Sequence, residues 1–567
     1  MLSNQEIAEI FYNIADILEI QAIEFKPQAY RKAAKHIESL SKSVYTIYKE
    51  KGLKGLDNIP GVGKHISLKI EEIIKTGKLP YLTKLKKQLP KGVYKLMDVQ
   101  SLGPRKVSRL YKELKIKNIT DLKKAIKKHK VAELKGFGLK SEIEILEGLK
   151  LNKQSKQRML LGEAYPIAYE IKNELSKLHC IEKINIVGSL ARMKETIKDI
   201  DILCISKKPN KVINEFTKLG KKVLAKGKTK SSIILQNNLQ VDLRVLPKKQ
   251  YGSSLQYFIG SKQHSVHLRQ IAIKKEYKLS EYGLFTRKGK LIESKDEKKI
   301  YNKLGLQWVP YELRENTGEI EAAMNNKLPK LIKYNEIKGD LHMHTTYSDG
   351  GHSVWKMADF CKTKLKYEYV AITDHSKSQK IANGMEVKEL LKQIKEIDKL
   401  NKKYNKFKIF KSCEVDIKGN GTLDYKKSIL SKLDVVTASI HSGFKNNNTP
   451  RLLKAMDNRY VKIIGHPTGR LINARNPYPL DIEKVFQKAK DNDIWIEINA
   501  HPQRLDINDI YIKKAIEMKV KMVINTDAHS VDGLHNMVYG IAQARRGWAT
   551  QKDIINTLSL KKFEKLL

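Results

Sequence analysis

Two sets of residues carry most of the chemistry legible in the chain. In the segment DIDIL, Asp199 and Asp201 are two apart, so on a strand both carboxylates face one side, and Asp242 in QVDLR can join them from a neighbouring strand. Three converging carboxylates repel one another, and divalent metal relieves the repulsion. The all-oxygen set suits two magnesium ions, which bridge phosphate oxygens and lower the pKa of an attacking hydroxyl. Shortly upstream, Gly188-Ser189 ends a strand and opens a turn where amides and a hydroxyl can cradle a triphosphate, with Arg192 close enough to add charge. The set predicts nucleotidyl transfer, with Asp242 the carboxylate that takes or relays the proton of the attacking hydroxyl.

The second set is scattered. GDLHMHTTYSDG supplies His342, His344 and Asp349, and the segments ITDHS, SCEVDI, ASIHSG, IGHPTG and INTDAHS supply His375, Glu414, His441, His466, Asp527 and His529. Most follow short apolar runs such as YVAIT, VVTAS, VKIIG and KMVINT. In a barrel of strand-helix units the C-terminal strand ends meet in one mouth, so these side chains are expected to converge there. Nine ligands exceed what one metal can use. Mixed nitrogen and oxygen donors predict a cluster of two or three manganese, zinc or iron ions, competent to cleave a phosphodiester. Asp374, Arg470 and Arg504 lie beside or between these segments, where they could orient ligands or bind substrate phosphate.

The elements that must position these residues change along the chain. From residue 5 to about 150 the apolar residues recur at helical spacing (Ile7, Ile10, Phe11, Ile14, Ile17, Leu18). Three glycine-containing turns, each leading into a helix, punctuate this region: IPGVGKHISLKI (59–70), VQSLGPRKVSRL (99–110) and LKGFGLKSEIEI (134–145). Gly61, Gly63, Gly103, Gly136 and Gly138 let the chain approach a backbone phosphate closely, and the helix N-termini offer free N–H groups; Ser101 replaces the first glycine of the second turn. Residues 181–245 read as isoleucine- and valine-rich strands of a mixed sheet. After a polar, proline-containing break near 318–336, strands and helices alternate to the end.

The turns resemble helix-hairpin-helix motifs. GSLARMKETIKDIDIL, QVDLR, YFIGSKQHSVHLR and EYGLF resemble a family X DNA polymerase over residues 1–318, and the segment from 336 to 567 resembles a polymerase and histidinol phosphatase (PHP) domain at all nine ligand positions. The resemblance implies a multidomain α+β and α/β chain: a helical lyase-like domain (1–85), fingers (86–150), a nucleotidyltransferase palm (151–245), a thumb (246–317), a linker (318–335) and a distorted TIM-like (β/α) barrel (336–567). It implies that Tyr257, Phe258 and Gly260 face the sugar of the incoming nucleotide, that Arg269 approaches the template minor groove, and that Lys69 is the Schiff-base lysine of a 5′-deoxyribose phosphate lyase, aided by nearby charge such as Lys64. Ile259, Ser265 and Ala191 depart from the family's usual threonine, asparagine and arginine. The implied function is gap filling in DNA repair from dNTPs, joined to 3′–5′ exonuclease, end-cleaning or abasic-site cleavage. Two other readings share part of the pattern. A template-independent or RNA-directed terminal nucleotidyltransferase is disfavoured by the glycine turns and YFIGS, and a DNA-bridging scaffold with vestigial sites by the complete aspartate and nine-residue sets.

Composition agrees with a polyanionic partner: 109 basic residues against 62 acidic ones give a formal charge of +47 over 567 residues. Gapped or nicked double-stranded DNA is the expected substrate. Four separated cysteines exclude a disulfide framework and a zinc knuckle. The N-terminal pattern is amphipathic and acid-containing rather than a signal peptide, and no run approaches a membrane span, so a soluble, cytoplasmic monomer is expected.

Overall fold

The structure is a computed structural model and describes residues 2, 4–38, 40, 43–90, 92–99, 102–151 and 158–567. Ser101 and the palm's first residues after 151 lie outside that set. Helices α1 (Asn4–Ile20) and α2 (Lys26–Glu38) pack together because Ile7, Phe11, Ile14 and Leu18 fall on one face of α1 and are buried. Helices α3 (Lys64–Thr76), α4 (Pro104–Leu114) and α5 (Gly138–Leu151) begin at the three glycine turns. One apolar cluster runs through this whole region, from Ile7 to Leu149.

After α6 (Leu161–Ser176) the palm sheet comprises β1 (Ile181–Val187), β2 (Asp199–Ser206), β3 (Lys222–Lys226), β4 (Lys230–Ile234) and β5 (Gln240–Leu246). Its order is β1-β2-β5-β4-β3, with β2 and β5 parallel and the other neighbours antiparallel, so the sheet is mixed as expected. Helices α7 (Tyr251–Ile259) and α8 (Lys262–Lys274) follow, then an antiparallel sheet of β6 (Tyr277–Ser280), β7 (Gly283–Thr286) and β8 (Leu291–Glu293). The segment expected as a linker is packed: Glu319–Met324 is helical, Ile320, Ala323 and Leu331 join the apolar cluster of this region, and buried Glu319 bonds His264 Nδ1 at 2.6 Å. A buried carboxylate is tolerated there because it also accepts from the Asn316 and Thr317 amides.

The C-terminal sheet has seven parallel strands in sequential order: β9 (Gly339–Asp340), β10 (Tyr369–Ile372), β11 (Lys408–Asp416), β12 (Val435–Ser439), β13 (Val461–Ile464), β14 (Trp495–Asn499) and β15 (Met522–Asn525). A parallel bridge between Met343 and Ala528 brings the first and last strands together, so the sheet forms a nearly closed barrel. Strands β10, β12, β14 and β15 are buried along their whole length, which explains their unbroken apolar runs. Helices α9 (Asp509–Glu517) and α10 (Met537–Arg546) lie late in this barrel. The palm core continues into it: Leu161, Ala164 and Ala168 of α6 share a cluster with Leu505, Tyr539 and Ala542. Gly162 sits so close to Pro502 that a Cβ would lie 2.5 Å from its ring. Among the described residues no helix is long and apolar enough to cross a membrane.

Candidate functional site

In the palm, the parallel register sets Asp201 directly opposite Asp242, with Asp199 two residues along the same strand. Asp242 accepts from Gln240 Nε2 at 3.1 and 3.2 Å and from Ser232 Oγ, leaving it aligned on β5. Burial and then the charges of Asp199 and Asp242 push the Asp201 carboxyl up to about 7, although Arg192 and Lys230 oppose the shift. A buried carboxyl this reluctant to ionise beside two others gains most from a cation bound directly to it, and an all-oxygen trio fits divalent metal. Gly188 is required at its position: its φ is +67°, and a Cβ would stand 2.2 Å from Asp201 Oδ2.

Gly188, Ser189, Arg192, Asp199 and Asp201 line one pocket with Tyr257, Phe258, Gly260 and Arg269. Two segments some 70 residues apart therefore meet as the sequence leads one to expect. The Tyr257 and Phe258 rings meet edge to face at 5.1 Å, and Arg269 Nε donates to Ser265 O at 3.2 Å. Arg192 is tied down: Nε donates to Glu315 Oε1 at 3.0 Å and Nη1 to Ile259 O. Arg158, Lys198 and Lys262 also line the pocket and were not singled out from sequence. Ile259 and Ser265 also line the pocket; Ile259 is buried, and Ser265 Oγ is buried without a hydrogen-bond partner.

At the barrel mouth the nine scattered residues come together. Glu414 is central: Oε1 lies 2.8 Å from His466 Nε2 and 3.3 Å from His441 Nε2, while Oε2 lies 2.8 Å from His375 Nδ1 and 3.6 Å from His342 Nε2. Asp527 Oδ1 lies 3.2 Å from His344 Nε2, and Asp349 Oδ1 lies 3.4 Å from His529 Nε2. Three groups can each hold one ion, their ligand atoms within 4.8 Å of one another: His344, Asp349, His375 and His529; His342, His344 and Asp527; His375, Glu414 and His441. Both Glu414 oxygens, His342 Nε2, His344 Nδ1, His375 Nδ1 and His441 Nε2 are buried, and the short contacts among them lack the direction of a hydrogen bond. Buried polar atoms rarely stay unsatisfied, so the donors fit a metal cluster on geometry as well as type.

The charges here offset one another. Burial opposes ionisation of Glu414, but His441, His342 and His375 outweigh it and hold the carboxyl well below its usual range. Burial likewise disfavours charge on His342, yet Glu497, Glu414 and Asp527 raise it well above the ordinary imidazole value, and Glu414 with Asp416 lifts His441 to about 9. His344 moves the other way, to about 4, through burial and the neighbouring His375 and His529.

Two carboxylates in this site were not singled out from sequence. Glu497 of β14 accepts from His342 Nδ1 at 2.7 Å and from the His466 amide at 2.7 Å, and Asp416 lies 3.2 Å from His441 Nδ1; both fix the ring that faces the cluster. WIEIN carried a signal, since a glutamate inside a wholly buried strand needs a partner. Asp374 braces the His344 loop through Thr345 and Ser348, and Arg504 Nε reaches Asp527 Oδ2 at 3.2 Å. Arg470 points instead to the palm, pairing with Glu195 at 2.6 Å while donating to the Arg504 carbonyl at 2.8 Å.

In the N-terminal region, α3 and α4 start at Gly63 and Gly103 with no side-chain cap, and Gly63, Gly103 and Gly138 each have open space where a Cβ would point. Positive φ values of +79°, +85° and +66° explain glycine at 61, 136 and 138. Lys69 is half-buried, its ammonium 4.8 Å from the Tyr81 ring and bonded to His65 O at 3.2 Å; burial lowers its pKa, with Glu72 opposing. Lys64, five residues earlier, stands about 140° round the helix from it.

The helix-hairpin-helix domain profile matches residues 2–79, the DNA polymerase beta thumb profile residues 254–315 and the PHP domain profile residues 340–501. The chain is 39% identical over its full length to the DNA polymerase/3'-5' exonuclease PolX of Bacillus subtilis (strain 168), covering 99% of that protein. It is 31% identical over 233 residues to a probable phosphatase of Thermoanaerobacter sp. (strain X514), a stretch that spans 38% of this chain and 89% of that protein. A match of that identity along both whole chains, with the domains in the same order as the two sites, leaves one conclusion: the chain belongs to the family X DNA polymerases that carry a C-terminal PHP domain.

Proposed function

We propose that the chain fills short gaps in duplex DNA from dNTPs and trims DNA 3′ ends in its PHP barrel, as the name of the Bacillus subtilis relative suggests. The observation that carries the polymerase half is the register of Asp201 against Asp242, with Gly188 packed on Asp201 at the rim of the sugar pocket. Asp199, Asp201 and Asp242 would hold two magnesium ions, which neutralise triphosphate charge and acidify the primer hydroxyl. Asp242 accepts or relays the 3′-hydroxyl proton as that oxygen bonds to the α-phosphorus and pyrophosphate leaves. Ser189 and Arg192 bind the triphosphate, and Tyr257, Phe258 and Gly260 exclude a ribose hydroxyl. Arg269 contacts the template strand, and the glycine turns at 61–63, 103 and 136–138 hold the DNA backbone.

In the barrel, His342, His344, Asp349, His375, Glu414, His441, His466, Asp527 and His529 would hold two or three manganese, zinc or iron ions, which supply a nucleophile at neutral pH and charge for the leaving oxygen. Glu497 and Asp416 orient the rings of His342 and His441, and Arg504 orients Asp527 and faces the scissile phosphate. The proposed domain limits are lyase-like 1–85, fingers 86–150, palm 151–245, thumb 246–317, a connecting segment 318–335 and PHP 336–567. A lyase step at Lys69 is favoured by its lowered pKa, because only the neutral amine can form a Schiff base. The test is a gapped duplex bearing a 5′-phosphate or 5′-deoxyribose phosphate, with and without dNTPs, under magnesium and then manganese. Gap-limited extension with dNTPs and 3′ shortening without them is the expected result. Preference for ribonucleotides, or neither reaction, overturns the reading.

A further inference from the structure

A residue of the barrel reaches Arg192, one of the residues that line the palm pocket. Arg546 closes α10, and its side chain is only 4% exposed. It makes three contacts: Nη1 donates to Arg192 O at 2.9 Å and to Glu315 Oε1 at 3.1 Å, and Nη2 donates to Asp509 Oδ2 at 2.5 Å. Glu315 Oε1 also accepts from Arg192 Nε at 3.0 Å, with Lys194 Nζ at 4.0 Å. Three cations thus share two carboxylates in a largely buried cluster.

That surplus has a consequence for Arg192, which lines the pocket beside Ser189 and Asp199. Were Arg192 the sole partner of Glu315, turning its guanidinium to a phosphate would leave a largely buried carboxylate unpaired, which opposes the movement. With Arg546 and Lys194 on the same carboxylate, Arg192 can leave it paired, giving up only its own bonds to Glu315 and to the Ile259 carbonyl at the pocket wall. We propose that Arg546 is a positioning residue for DNA synthesis: it keeps Glu315 paired and anchors the Arg192 backbone, so that the Arg192 side chain is free to take the triphosphate of an incoming nucleotide. The inference rests on the polymerase reading above and adds to it that the barrel sets the palm's affinity for dNTPs.

The test is steady-state extension of a gapped duplex by the full chain, with dNTP varied. Arg546→Gln should raise the KM for dNTP on the order of ten-fold while kcat stays within about two-fold, and manganese-dependent nuclease activity should be unchanged. Arg546→Lys should recover most of the loss. Adding Glu315→Gln to Arg546→Gln should restore KM toward the parent value, because the carboxylate that would trap Arg192 has lost its charge. Should Arg546→Gln fail to fold, Lys194→Gln, which removes another cation from Glu315, carries the same comparison with a smaller rise in KM. An unchanged KM in a folded variant, no suppression by Glu315→Gln, or a parallel fall of kcat, nuclease activity and melting temperature overturns the proposal. Absence of extension by the unsubstituted chain overturns the polymerase reading itself.

Discussion

The palm and the barrel mouth gather acids for metal in opposite electrostatic styles. The palm sets three carboxylates on adjacent strands, and burial with their mutual repulsion drives Asp201 up to about 7 although cations line the same pocket. The barrel interleaves six imidazoles with three acids, so Glu414 and Asp527 sit well below their ordinary range while His441 and His529 rise to about 9. The barrel therefore carries its own counter-charge. The palm is incomplete electrostatically until cations and a polyanionic nucleotide come together. A site that must assemble and release at every turnover suits the first design, and a resident cluster suits the second.

Three changes break or sharpen this contrast, in order of expected effect. Gly188→Ala places a methyl 2.2 Å from Asp201 Oδ2 at a left-handed φ, and primer extension should fall on the order of a hundred-fold with nuclease activity intact. Normal extension would show that Asp201 has room the structure denies it. Glu497→Gln removes the charge behind His342, and metal titration of nuclease activity should show affinity weakened roughly ten- to a hundred-fold; the palm should not respond. The third is a pH effect. Asp201 binds a proton more tightly folded than unfolded, so the metal-free palm loses stability as pH rises from near 4 to about 7, and magnesium reverses the loss by binding the ionised form. Below pH 7 the magnesium needed for extension should rise about ten-fold per pH unit. A flat requirement between pH 6 and 7 would mean that Asp201 ionises normally.

Both sites were legible in the sequence to the extent that local rules place side chains. Alternation on DIDIL puts Asp199 and Asp201 on one face, and short apolar runs that end in histidine or acid predict convergence in a barrel. Long-range pairing was not legible. Arg470 lies 275 positions from Glu195, and Arg546 lies 354 from Arg192, and nothing in a lysine- and arginine-rich chain marks which cations turn inward. The segment 318–335 reads as a break because it is polar, yet Glu319 finds His264 and its neighbouring amides, and Ile320 and Ala323 complete an apolar cluster. Polarity predicts exposure only where partners are absent.

The central claim is that synthesis and cleavage of DNA occupy separate sites in one chain. Its most direct test compares two variant pairs on one gapped duplex, reading extension and 3′ shortening in the same samples. Asp199→Ala with Asp201→Ala should abolish extension and spare shortening, whereas His342→Ala with His344→Ala should do the reverse under manganese. Loss of both reactions in a folded variant of either pair, or survival of extension without Asp199 and Asp201, would contradict the account.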